Sequence, residues 1–262
     1  MDIVRRAAVV LATVLAIVSV RGQAPAVEPP ADIGIDEKLG AMVPMDLAFH
    51  DENGAPFVFK DGIRKPTLLL LVFYHCPVSC GIMLNEMAEV LKAMPLKAGE
   101  DYQAVTVSFD DEDRAEDAAR RKTNHATGFP PSFPLDQWKF LWGDETNIRR
   151  LKEAVGYKCR KQGSRDFVHP NAMMALAPDG KVIRYIYGPD FQPFVVSMAL
   201  TEAARGTPGV SIRKMMSYCF SYDAKGKRYV LSTLRLAGGS VLVGVGLFVV
   251  FLTRKRKPGT RT

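Results

Sequence analysis

What this sequence has little of is net charge where a globular domain would sit. The formal total is +7, but residues 1–24 contribute +2 through Arg5, Arg6 and Arg21 against Asp2, and residues 234–262 contribute +6, which leaves −1 for everything between. A near-neutral body offers no phosphate-binding surface, so nucleic acid is excluded as a partner. Internal repeats are absent as well, which removes solenoid arrays. Cysteine and histidine are scarce, four of each in 262 residues, so the placement of each one carries information. Hydrophobic runs long enough to matter to a membrane occur only at the two ends.

The N-terminal end has the parts of an export signal. Arg5-Arg6 precede the apolar stretch Ala7–Val20, and Gly22-Gln23-Ala24 supplies small residues for cleavage. The second run, Leu236–Leu252, contains no charge and stops just before Arg254-Lys255-Arg256-Lys257. Its length is at the short end for a membrane-spanning helix, and the basic cluster marks the cytoplasmic side. The expected layout is a signal peptide over 1–24, a linker over 25–42 and a globular domain over 43–205. A stem over 206–233, a transmembrane helix over 234–253 and a cytoplasmic tail over 254–262 follow. The domain is expected on the outer, periplasmic side of a bacterial plasma membrane.

Between the ends, Leu47, Phe49, Phe57 and Phe59 alternate around Asp51-Glu52-Asn53-Gly54, a hairpin signature. An apolar run at 67–74 reads as a buried strand, followed by a helix with Ile82, Met83 and Met87 at helical spacing. Residues 103–109 read as a second buried strand, and the acidic run 110–113 as a turn that caps a helix over about 114–125. The segment 127–143, with Trp138 and Trp142, reads as loop. Asp144 is placed to cap a helix, Pro178-Asp179-Gly180 to turn a hairpin, and 193–205 to form a last helix. Alternation of this kind predicts an α/β sandwich with helices covering a mixed sheet.

The densest chemistry is at Cys76 and Cys80, directly after the 67–74 run. Cys76-Pro77 reads as a helix start, because proline suits a first turn. Two thiols four apart would then share one face, and the positive helix end would favour thiolate. Such a pair suits a soft ion such as Cu(I). The plainer alternative is two buried small apolar residues. Met83 and Met87 are expected in the core, the tryptophans as packing anchors, His75 as pointing away from the cysteine face, and His50 and His125 as turn and helix-surface residues. Cys159 and Cys219 are either free or bridged.

Together, Phe73-Tyr74-His75-Cys76-Pro77-Val78-Ser79-Cys80, then Trp138-Lys139-Phe140-Leu141-Trp142-Gly143-Asp144, then His169, resemble the Sco/SenC family over roughly residues 43–205. The resemblance implies a thioredoxin-like fold and a copper ion held by Cys76, Cys80 and His169. It also implies a role in cytochrome c oxidase assembly, with subunit II as the copper acceptor and a thiol reductant as a further partner. Val78 and Gly81 stand where many members carry an acidic residue and a proline, and Val168 where an aspartate often precedes the histidine. Asp166 is then the nearest carboxylate available to orient that imidazole. The rival reading is a thiol–disulfide oxidoreductase with Cys76 and Cys80 as its redox pair. Three intervening residues rather than two argue against it.

Overall fold

The computed structural model describes residues 32–163 and 166–209, and two strands at 220–223 and 228–231. The elements in chain order are β1 (Gly34–Ile35), β2 (Ala48–His50), β3 (Pro56–Val58), α1 (Phe59–Gly62), β4 (Thr67–Val72) and α2 (Ser79–Ala93). Next come β5 (Gln103–Ser108), α3 (Ala115–Ala126), β6 (Trp138–Leu141), α4 (Glu145–Ala154), β7 (Tyr157–Lys158), β8 (Arg160–Lys161) and β9 (Phe167–Val168). Strands β10 (Ala172–Leu176) and β11 (Val182–Tyr187), helix α5 (Pro193–Arg205) and strands β12 (Phe220–Asp223) and β13 (Arg228–Leu231) complete the order. Residues 30–219 form one unit; the last two strands pair antiparallel within a second.

Five strands make the central sheet, in the order β11-β10-β4-β5-β6. β4 pairs parallel with β5, and β5 with β6, while β10 runs antiparallel between β4 and β11. Every residue of β4 is buried. A strand covered on both faces has no reason to alternate, which is why Thr67–Val72 reads as one apolar run. Each buried leucine there contributes on the order of 1.5–3 kcal/mol. The expected hairpin is β2–β3, with Phe49 opposite Phe57, and Pro178-Asp179-Gly180 turns β10 into β11. Met83 and Met87 are core residues, 1% and 0% exposed.

Several expectations are corrected. The stretch 32–42, expected as linker, belongs to the fold: β1 pairs with β7, Ile35 is buried, and Met42 bridges to Lys181. Trp138 is not in a loop but opens strand β6, fully buried, its indole donating to Thr106 Oγ1 at 3.0 Å. Trp142 donates to the Asp51 carbonyl and stacks on His50 at 4.8 Å. Both therefore anchor packing, Trp138 buried and Trp142 partly so, each with a satisfied indole N–H. His125 is not on the surface: it is buried, with Nδ1 2.7 Å from Asn85 Oδ1. The acidic run does not cap α3; Asp117 accepts from the Arg114 amide instead, while Asp110 and Asp113 are buried.

The expected export signal and the expected transmembrane helix fall outside the described residues, among which no helix is long and apolar enough to cross a membrane. Cys219 also lies outside them. Cys159 is a free thiol, part-buried, 3.5 Å from Lys152 Nζ.

Candidate metal centre

β4 delivers the chain to one edge of the sheet, and Phe73 to Val78 make the loop that leads into α2. The helix begins at Ser79, so Cys76 stands before its first turn rather than inside it. The sulfur of Cys76 nevertheless reaches back to the helix start and accepts from the Cys80 amide at 3.3 Å. It thus takes up one of the orphan N–H groups that every helix start exposes. Cys76 is 4% exposed and Cys80 fully buried.

The two sulfurs differ in charge. The Cys80 thiol donates to Cys76, and this hydrogen bond pulls the Cys76 thiol down to about 3. Burial opposes the shift, and His169, Ser79 and the Cys80 amide support it. Cys80 is held protonated far above the ordinary thiol range, first by burial and then by donating to its neighbour. At neutral pH the pair is one thiolate and one thiol.

His169 arrives from the far side of the sequence, just past β9. Its Nε2 lies 3.5 Å from Cys80 Sγ and 3.1 Å from Ser79 Oγ. Ser79 Oγ is also 3.4 Å from Cys76 Sγ, so one hydroxyl touches both a sulfur and the imidazole. On the other side of the ring, Nδ1 lies 3.2 Å from Tyr157 Oη, which itself donates to the Pro170 carbonyl at 2.8 Å. With its proton committed there, Tyr157 can accept from Nδ1–H, the tautomer that would turn the Nε2 lone pair to a metal at the sulfurs; in the metal-free pair an Nε2–H supports the Cys76 thiolate instead. Burial keeps Tyr157 protonated. The orienting partner of His169 is therefore Tyr157 with the Pro170 carbonyl, not Asp166, whose carboxylate accepts from the Phe167 amide. Phe73 meets the ring edge-on at 5.9 Å, and Phe109 packs at 5.4 Å.

One ligand atom each from Cys76, Cys80 and His169 falls within 4.8 Å of the others. Two sulfurs and an imidazole whose other nitrogen is engaged are a soft donor set suited to copper, with the outer partner that a metal-ligating histidine ordinarily has. His75 is not part of it. Its ring turns to Asp113 at 2.6 Å and Asp117 at 3.2 Å. Asp113 in turn accepts from the Tyr74 amide and Ser108 Oγ, fixing the loop to the end of β5.

Arg121 and Tyr157 are the residues that sequence reasoning missed. Arg121 of α3 donates to the carbonyls of Tyr74 and Cys76, both at 2.5 Å. It passes beside Gly81, where an added Cβ would lie 3.9 Å from the guanidinium. Nothing in the local pattern marks either residue, because each acts across the fold.

The sheet order and the thiol pair at a strand-to-helix junction define a thioredoxin-like domain with a sulfur–imidazole centre. A sequence model of the SCO1/SenC family matches residues 36–203, and the chain belongs to that family. It is 28% identical over 152 residues to the SCO1 protein homolog of Bacillus subtilis (strain 168), spanning 56% of this chain and 75% of that one. Among solved structures, a candidate electron transfer protein from Aquifex aeolicus VF5 is 27% identical, with a TM-score of 0.58 over 65% of this chain and 96% of its own. Arabidopsis thaliana ScoI, solved with copper bound, is 18% identical with a TM-score of 0.50, over 61% of this chain and 96% of that one, a likeness of fold.

Proposed function

We propose that this chain is a membrane-tethered copper chaperone that binds one copper ion through Cys76, Cys80 and His169. It would deliver the ion to the binuclear copper site of cytochrome c oxidase subunit II. The observation that carries the reading is the meeting of two sulfurs and one oriented imidazole within 4.8 Å. Copper is cargo here, and three protein donors leave coordination room for a ligand from the acceptor. Cys76 is already a thiolate, so loading costs one further deprotonation, at Cys80. The apolar run before the basic C-terminal cluster supports a tether, which would hold donor and acceptor at one membrane surface and raise their effective concentration.

The test is a Cu(II) titration followed by the sulfur-to-copper absorption in the visible. Wild type should take up one ion per chain with a visible band. Cys76→Ala and Cys80→Ala should abolish tight binding, and His169→Ala should lose the Cu(II) band while retaining Cu(I). His75→Ala should keep the band, its ring being committed to Asp113 and Asp117. A band lost in His75→Ala and kept in His169→Ala would replace the ligand set.

The split protonation of the cysteine pair favours a second reading, a thiol–disulfide oxidoreductase. The Cys76 thiolate would attack an acceptor disulfide and expel one of its sulfurs as thiolate. Cys80, losing its proton, would then close on Cys76 and release the second, leaving the acceptor reduced and this pair oxidised. A wild-type chain that reduces disulfides and binds no copper would establish this reading over the first.

A further inference from the structure

Helix α2, which carries Cys80, and helix α5, which packs on it, share a pattern that the metal site does not explain. Strands β4 and β11 both run antiparallel to β10 and hence parallel to each other. Helix α2 follows the first and α5 the second, so both begin at the same edge of the sheet, and the two pack together. Each has a solvent-facing stripe. On α2 the stripe starts with Val78, 64% exposed, and Ile82, 46%. On α5 it starts with Phe194, 75% exposed, and Met198, 40%. Further along, the stripes become polar: Glu86 and Glu89 on α2, Thr201 and Arg205 on α5.

Four large apolar side chains are thus exposed at the starts of both helices, Val78 just ahead of α2 and the others in the first two turns, at the end where the metal centre lies, and give way to polar ones beyond it. Both helix starts themselves lack Asp, Glu, Lys and Arg, the Arg121 guanidinium beside them being turned onto the loop carbonyls. Residues 76–85 and 191–201 contain no Asp, Glu, Lys or Arg, in a chain where such residues make up 24%. An exposed apolar patch rimmed by polar residues marks a protein interaction surface.

We infer that Val78, Ile82, Phe194 and Met198 form the docking surface for the copper-accepting protein, recognised by apolar contact and not by charge. The inference rests on the chaperone reading and specifies its partner surface. Position fixes the occupant. Val78 lies within the metal motif, between Cys76 and Cys80, so a partner that brings its own ligand to these sulfurs presses on Val78. Ile82 continues that contact along α2, and Phe194 with Met198 extend it onto α5. A second copy of this chain seated there would instead cover the centre.

The experiment uses the full-length chain in detergent, loaded with Cu(I). Transfer is timed to the metal-free copper domain of cytochrome c oxidase subunit II and, separately, to bathocuproine disulfonate, a chelator that needs no docking surface. Phe194→Asp and Ile82→Asp, with Met198→Asp as a third, should slow transfer to subunit II by about tenfold each. Transfer to the chelator should stay at the wild-type rate. The wild-type rate to subunit II should change less than about twofold between roughly 50 and 500 mM salt, because no charge steers the encounter.

Variants that match wild type toward subunit II would overturn the surface while leaving the chaperone reading intact. So would a steep salt dependence. A wild type that feeds the chelator but not subunit II would reject that acceptor, and with it this surface. Sedimentation as a dimer that Phe194→Asp dissolves would assign the patch to a second copy and overturn the inference.

Discussion

Cys76 and Cys80 are four residues apart and chemically opposite. Cys76 titrates near 3 in the fold against an ordinary 9.0. A depressed value means the unfolded chain binds the proton more tightly. The stabilisation from this thiolate is therefore complete above about pH 9 and falls steadily below it, disappearing as pH drops through about 3. Cys80 stays protonated throughout that window. The reduced, metal-free protein should show the 240 nm absorbance of one thiolate at pH 5, and the denatured protein none. A native protein without thiolate absorbance at pH 5 would contradict the assignment. The cysteine pair was legible in the sequence because both members sit in one short motif. His169 was recognisable only through the family pattern. Tyr157, which contacts its Nδ1, was not legible at all, since that contact depends on where β7 and β9 come to lie.

The loop from β4 to α2 has its own fastening. Arg121 grips the carbonyls on either side of His75, while Asp113 holds the Tyr74 amide and the His75 ring. The guanidinium also favours thiolate at Cys80. Arg121→Met removes both donors from a part-buried loop and should destabilise by about 2–4 kcal/mol in urea. It should also weaken Cu(I) binding, because Cys80 must lose its proton to bind. Arg121→Lys should recover most of the affinity through its charge and less of the stability, since an ammonium cannot span two carbonyls as a planar fork does. Equal affinity in Met and Lys variants would confine Arg121 to a structural part. The elements themselves were largely readable: β4, β5, the β2–β3 and β10–β11 hairpins and α5 all follow from apolar runs and turn residues. The failures share a cause. Residues 34–35 are too short a strand to leave a pattern, and Trp138–Leu141, amid prolines, is a strand because β5 offers it a parallel edge.

At the scale of the whole molecule, the chain joins a near-neutral domain to basic, apolar ends. On the proposed tethered layout, protease added to intact spheroplasts should digest the domain and spare residues 254–262, the basic cluster expected on the cytoplasmic side. Protection of the domain with loss of the tail would invert the topology. Within the domain, the centre draws on distant parts of the chain. Both sulfurs come from a single strand-to-helix junction, whereas His169 is 89 residues beyond Cys80. Synthesis therefore completes the two sulfurs first, and for that interval the nascent chain carries a dithiol without the His169 imidazole and without β10 to close the sheet beside it. Until those parts arrive the pair keeps the proton affinity of ordinary thiols, so its reactivity is acquired only as the domain closes around it.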